Sequence, residues 1–85
     1  MEEVAIKKIL DSMLKPKYPK IKDFHVSDDG FFYNVGVYLR YDDMSKFGKQ
    51  EIDELKKKVR EYSKYVTGNT KETKRVNHVY FYDSQ

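Results

Sequence analysis

The chain has 85 residues, enough for one domain and too few for two independently cored units. It contains no cysteine, which excludes a disulfide framework, thiol catalysis and a cysteine-held zinc site. Its net charge of +3 is mild, and the longest uncharged stretch, Gly30 to Leu39, is far too short to span a bilayer as a helix.

The first element is a helix. Over residues 2–14 the apolar side chains Ile6, Ile9, Leu10, Met13 and Leu14 recur at the three- and four-residue spacing of one helical face. The acidic start at Glu2 and Glu3 is not the basic, then apolar, opening of a secretory signal. Pro16 and Pro19 end the helix, and Ile21 to Ser27 reads as a short strand. Asp28-Asp29-Gly30 marks a tight turn, with glycine supplying a positive φ.

Phe31 to Tyr41 is the clearest strand. Its odd positions, Phe31, Tyr33, Val35, Val37, Leu39 and Tyr41, are all apolar or aromatic, whereas Phe32, Asn34, Gly36, Tyr38 and Arg40 are mixed. That alternation predicts one core face and one partly wet face. Asp42 to Gly48 reads as a polar loop. From Lys49 to Val66 the positions Ile52, Leu55, Val59, Tyr62 and Val66 predict a second amphipathic helix, stopped at Gly68-Asn69. Thr70 to Lys74 is a polar connection, and Arg75 to Asp83 a closing strand with Val79 and Phe81 on its core side.

The expected architecture is therefore α+β, one domain over residues 1–85, in the order α-β-β-α-β, with two helices on one face of a three-stranded sheet. The long second strand belongs in the middle. A right-handed crossover through the second helix would place the last strand beside it and parallel to it. The competing solution sets the last strand antiparallel to the first. The uncovered face would then carry Asp23, His25, Phe32, Asn34, Tyr38, Arg40, His78, Tyr80 and Tyr82.

Charge is distributed unevenly along the chain. Residues 1–22 hold six lysines against three acids, residues 23–43 five aspartates against Arg40, and residues 44–75 ten basic residues against five acids. Lys56, Lys57, Lys58, Arg60 and Lys64 fall off the apolar stripe of the second helix, and Lys71, Lys74 and Arg75 follow it. A positive helix face of this kind can track phosphates. It can equally be a solvated face laced by ordinary i,i+4 pairs such as Asp53–Lys57 and Glu54–Lys58. Lysine outnumbers arginine fourteen to three, which favours point-charge phosphate contacts over base readout.

The aromatic open face admits bases as stacking partners, another protein as an interface, or a cover by the N- or C-terminal segment that leaves nothing functional, tyrosine being suited to the first two. His25 and His78 lack metal-site spacing, and the aspartate pairs Asp28-Asp29 and Asp42-Asp43 do not form a calcium loop. No nucleophile elbow, phosphate loop or dinucleotide turn is present, so no enzyme activity, cofactor or metal is expected.

Two stretches, Phe24-His25-Val26-Ser27-Asp28 running into Val35-Gly36-Val37-Tyr38-Leu39, and the closing Val79-Tyr80-Phe81-Tyr82-Asp83-Ser84, resemble ribosome-binding factor A. That is a family of single-domain, type II KH-like RNA-binding proteins of bacteria. The resemblance implies this fold and an RNA partner. The family breaks its long helical segment at an Ala-x-Gly kink that serves RNA contact, and Tyr62 to Gly68 here has no such kink.

The first functional expectation is low-specificity RNA contact through Lys56, Lys57, Arg60, Lys64, Lys71, Lys74 and Arg75. The alternative is a protein-interaction or self-assembly module, such as a small viral structural or bacterial accessory protein. It would use Phe32, Tyr38, Arg40, His78, Tyr80 and Tyr82. Either would act in the cytoplasm, of a cell or of an infected host, without a membrane.

Overall fold

A computed structural model describes residues 2–40, 47–68 and 74–83. Helix α1 (Glu2–Leu14) leads into strand β1 (Ile21–Asp28) and strand β2 (Tyr33–Leu39), followed by helix α2 (Lys49–Thr67) and strand β3 (Val76–Asp83). The sheet order is β1-β2-β3, with β1 antiparallel and β3 parallel to the central β2. This is the expected α+β domain, and the competing pairing of the last strand with the first is excluded.

The core lies between the sheet and the two helices. Ile6, Leu10 and Leu14 of α1 and Leu55 and Val59 of α2 are buried together with Phe24, Tyr33, Val35, Val37, Leu39 and Val79. The odd positions of β2 thus supply the core face, as alternation requires. Tyr33 is buried as well, and its hydroxyl donates to the Glu2 carboxylate at the start of α1. Loss of hydration, with Glu2 adding to it, pushes that phenol well above its ordinary pKa.

The strand begins two residues later than its sequence pattern indicates. Phe31, expected on the core face, is 81% exposed and stands outside β2. The reason is local hydrogen bonding: the Asp29 carboxylate accepts the N–H groups of Phe31 and Phe32, at 3.0 and 2.7 Å, and keeps both in the turn. Asp28 accepts the N–H of Gly30, which sits at φ 99°. The hairpin loop is therefore four residues long, between the paired Asp28 and Tyr33.

Smaller departures follow the same logic. Met13, expected in the α1 stripe, is exposed at its edge. The last strand starts at Val76, where pairing to Tyr33 begins, not at Arg75. Tyr41, the Asp42-Asp43 pair and most of the polar connection before Lys74 lie outside the described residues.

Candidate nucleic-acid interface and the open sheet face

Helix α2 runs unbroken from Lys49 to Thr67, and the N–H of Gly68 closes it on the Lys64 carbonyl at 2.8 Å. Every fourth residue of its inner line, Leu55, Val59, Ser63 and Thr67, is buried. The two hydroxyls were not legible as core from residue type. Each satisfies itself by donating one turn back, Ser63 Oγ to the Val59 carbonyl and Thr67 Oγ1 to the Ser63 carbonyl. Their i+4 continuity with Leu55 and Val59 was the available signal.

That inner line orients the cations, but not all of them toward solvent. Lys58 donates to the Tyr18 hydroxyl at 3.2 Å and pairs with Glu54 at 3.6 Å, and the Tyr18 bond is the main cause of its raised pKa. Lys56 reaches back over the Phe81 ring, 6.0 Å from its centroid. Lys57 and Lys64 are exposed. Arg60 is exposed too, and its guanidinium donates to the Asn77 carbonyl of β3 at 3.0 Å, leaving further N–H groups available.

Lys74 does not join this group. Its ammonium lies 2.7 and 2.8 Å from the two oxygens of Asp28, across the β1–β2 hairpin end, and its hydrogen bond holds the Asp28 carboxyl below the usual range. It is a structural tie between hairpin and β3. Lys71 lies outside the described residues. Arg75 stands at the entry to β3, and with Arg60, Ser63, Lys64, Thr67 and Val76 it lines a cleft between the end of α2 and the start of β3. Among the described residues no carboxylate lines that cleft. A neighbouring shallow groove shares Arg60 and Lys64 but adds Asp53 and Glu61 beside Lys57.

The opposite side of the sheet is aromatic. Tyr38 and Tyr82 stack at 5.1 Å between centroids, with 25° between planes. Tyr80 follows Tyr82 at 6.3 Å and His78 follows Tyr80 at 5.6 Å, while His25 meets Tyr38 edge-on at 6.4 Å. Five rings thus form a continuous ladder across all three strands. The register explains it: His25, Gly36 and Tyr80 share one row, and Tyr38 and Tyr82 the next. Gly36 leaves the room, since a Cβ there would stand 3.2 Å from the Tyr82 ring and 3.3 Å from the Tyr38 ring. Tyr80 and Tyr82 remain 44% and 43% exposed.

Four residues assigned to that face by alternation are not part of the ladder, and one of them, Asn34, donates its side-chain amide to the Asp29 carboxylate at 3.3 Å. The Asp23 carboxylate is bound by Lys7 at 2.6 Å and by Lys15 at 3.4 Å, both from the α1 side, and the Lys7 hydrogen bond chiefly lowers its pKa. The register irregularity between Ile21 and Asp23 is the local cause. Arg40 follows β2, and its Nε donates to the Pro19 carbonyl at 2.9 Å. Phe32 is exposed in the hairpin turn, held there by Asp29. Among the described residues no cluster of histidine and carboxylate groups could hold a metal ion, and no helix is long and apolar enough to cross a membrane. No family model, curated protein or solved structure matches the chain.

Proposed function

We propose that the protein is a non-enzymatic nucleic-acid-contacting module that grips the phosphate backbone of RNA at the cleft between α2 and β3. The observation that carries this reading is the convergence of Arg60, Lys64 and Arg75 on one cleft whose lining, among the described residues, includes no carboxylate. Lys57 extends the line along α2. Phosphate oxygens accept hydrogen bonds and carry charge. Two guanidinium groups offer planar, bidentate donors to them, and the lysines add point charges. Such contacts are blind to sequence, so low specificity follows. The stretches resembling ribosome-binding factor A favour RNA over DNA. The unkinked α2 means that the grip would be made by side chains, not by a backbone loop.

The test is binding of a fluorescent single-stranded RNA oligonucleotide over a salt series. With about four phosphates neutralised, a log–log slope of roughly −2.8 is expected, about a decade of affinity for each two- to threefold rise in salt. Replacing Lys57, Arg60 and Lys64 together with glutamine should flatten the slope to roughly −0.7 while leaving the circular dichroism spectrum unchanged. Affinity that ignores salt, or that survives the triple substitution, overturns the reading.

A further inference from the structure

We propose that the free edge of β3 pairs antiparallel with β3 of a second copy of this chain, joining two three-stranded sheets into one six-stranded sheet about a two-fold axis. The position of β3 is the starting point. It is an outer strand, and among the described residues its one strand neighbour is β2. An outer strand presents N–H and C=O groups that must be solvated or paired, and soluble proteins guard such edges with charge, proline, bulges or short length.

The two edges of this sheet differ sharply in that respect. At β1 the strand is irregular between Ile21 and Asp23, carries the charges of Lys22 and Asp23, and has Lys7 of α1 and the adjoining Lys15 drawn to its side. At β3 there are eight residues with no proline, and Val76 to Tyr82 contains no Lys, Arg, Asp or Glu. The one protection is local: Asn77 is the extra residue of a register irregularity, and Arg60 occupies its carbonyl. From His78 to Tyr82 the edge is long, β-prone and neutral.

The same observations select a second copy as the occupant. A chain of net charge +3 repels another cationic surface, but the uncharged edge removes that cost where the strands would meet. Two identical edges related by a two-fold axis within one sheet must run antiparallel. That orientation sets the basic entry to β3 at Arg75 toward the end of the partner strand at Asp83, twice by symmetry. The complementarity is therefore built into one strand: basic before, neutral within, acidic at the close. Pairing centred near Val79 and Tyr80 would also carry the ring ladder His78–Tyr80–Tyr82 across the axis.

Light scattering and sedimentation up to millimolar concentration test this directly. The expected mass is twice the 10.2 kDa of the single chain. A His78→Lys, Tyr80→Lys variant places two ammonium groups on the edge strand and should run at the single-chain mass with unchanged circular dichroism. Tyr38→Ala, on the central strand and away from the edge, should leave the doubled mass intact. A wild-type chain that is monomeric at every concentration overturns the proposal. So does loss of the dimer in Tyr38→Ala, which would mean face-to-face packing of the rings. Should the double-lysine variant fail to fold, hydrogen exchange of the wild type decides: β3 amide protection must rise with protein concentration, and protection that is concentration-independent overturns the edge pairing.

Discussion

Gly36 shows how one residue sets the surface chemistry of a whole face. Glycine inside a strand costs roughly 0.5–1 kcal/mol in chain entropy. Here the absent Cβ lets Tyr38 and Tyr82 lean over the central strand and stack. Gly36→Ala should recover part of that entropy and lose part to displacement of the two rings, so stability should stay within about 1 kcal/mol of wild type. The diagnostic is the ring-current shift of the Tyr38 and Tyr82 protons, which should collapse toward ordinary values in the variant spectrum. Leu55 and Tyr80 contrast the two sides of the sheet. Leu55 is fully buried, and Leu55→Ala should cost about 2–4 kcal/mol in urea unfolding. Tyr80→Ala, on the uncovered face, should cost less than about 1.5 kcal/mol. Equal losses at the two positions would mean that the aromatic face is covered.

At the scale of elements, α2 is held by a line of four residues of which two are polar. Ser63 is 1% exposed, and its hydroxyl only shares a carbonyl already engaged by the helix. Ser63→Ala should therefore change stability by less than about 1 kcal/mol. Ser63→Leu should overpack the helix–sheet seam and cost about 1–3 kcal/mol. Thermal melts of the two variants separate a site that needs a small side chain from one that needs a hydroxyl. The β1–β2 hairpin depends instead on charge. Asp29 is held below the ordinary carboxylate range by the N–H groups of Phe32 and Phe31, and Asp28 by Lys74 and then by the N–H of Gly30. Asp29→Ala should unpin the Phe31-Phe32 turn and lower the melting temperature, whereas Asp29→Asn, which keeps an acceptor oxygen, should do so less.

Across the molecule, among the described residues, two ion-pair systems tie elements distant in sequence, Lys7 and Lys15 to Asp23 and Lys74 to Asp28, and the Lys58–Tyr18 hydrogen bond adds a third link. Their pH dependence has a definite sign. Asp23, Asp28 and Asp29 have folded-state pKa values below the unfolded ones, so their contribution is complete above about pH 4 and disappears as pH falls through the folded values. Lys7 has a folded-state pKa raised chiefly by its bond to Asp23. Its contribution is therefore complete below the unfolded lysine value and disappears at strongly alkaline pH. The melting temperature should be flat near neutrality and drop on the acid side. Lys7→Met should move the Asp23 carboxyl back toward its ordinary titration range, read from the side-chain carboxyl resonance in an NMR pH series. An unmoved Asp23 would show that Lys7 is not its principal partner.

Most of the fold was legible because it rests on periodicity. The spacing from Ile6 to Leu14, the alternation from Tyr33 to Leu39 and the stripe from Ile52 to Val66 each report which face is buried, and a right-handed crossover then leaves β3 one place to go. The unevenness of charge and the wealth of tyrosine were equally plain. What periodicity could not carry was how side chains with several possible partners choose among them. Phe31 fits the β2 alternation, but the Asp29 carboxylate binds its N–H and holds it in the turn. Asp23 fits the open face, but two lysines of the α1 side draw it to them. Lys74 reads as one more cation of a phosphate-binding set, but it is spent on Asp28, forty-six residues away in the chain. Local pattern determines which faces are apolar, because burial of apolar surface is non-directional and sums along an element. Hydrogen bonds and ion pairs are directional and short-ranged, so only the tertiary structure could decide that Arg60, Lys64 and Arg75 share a cleft and that five rings form one ladder.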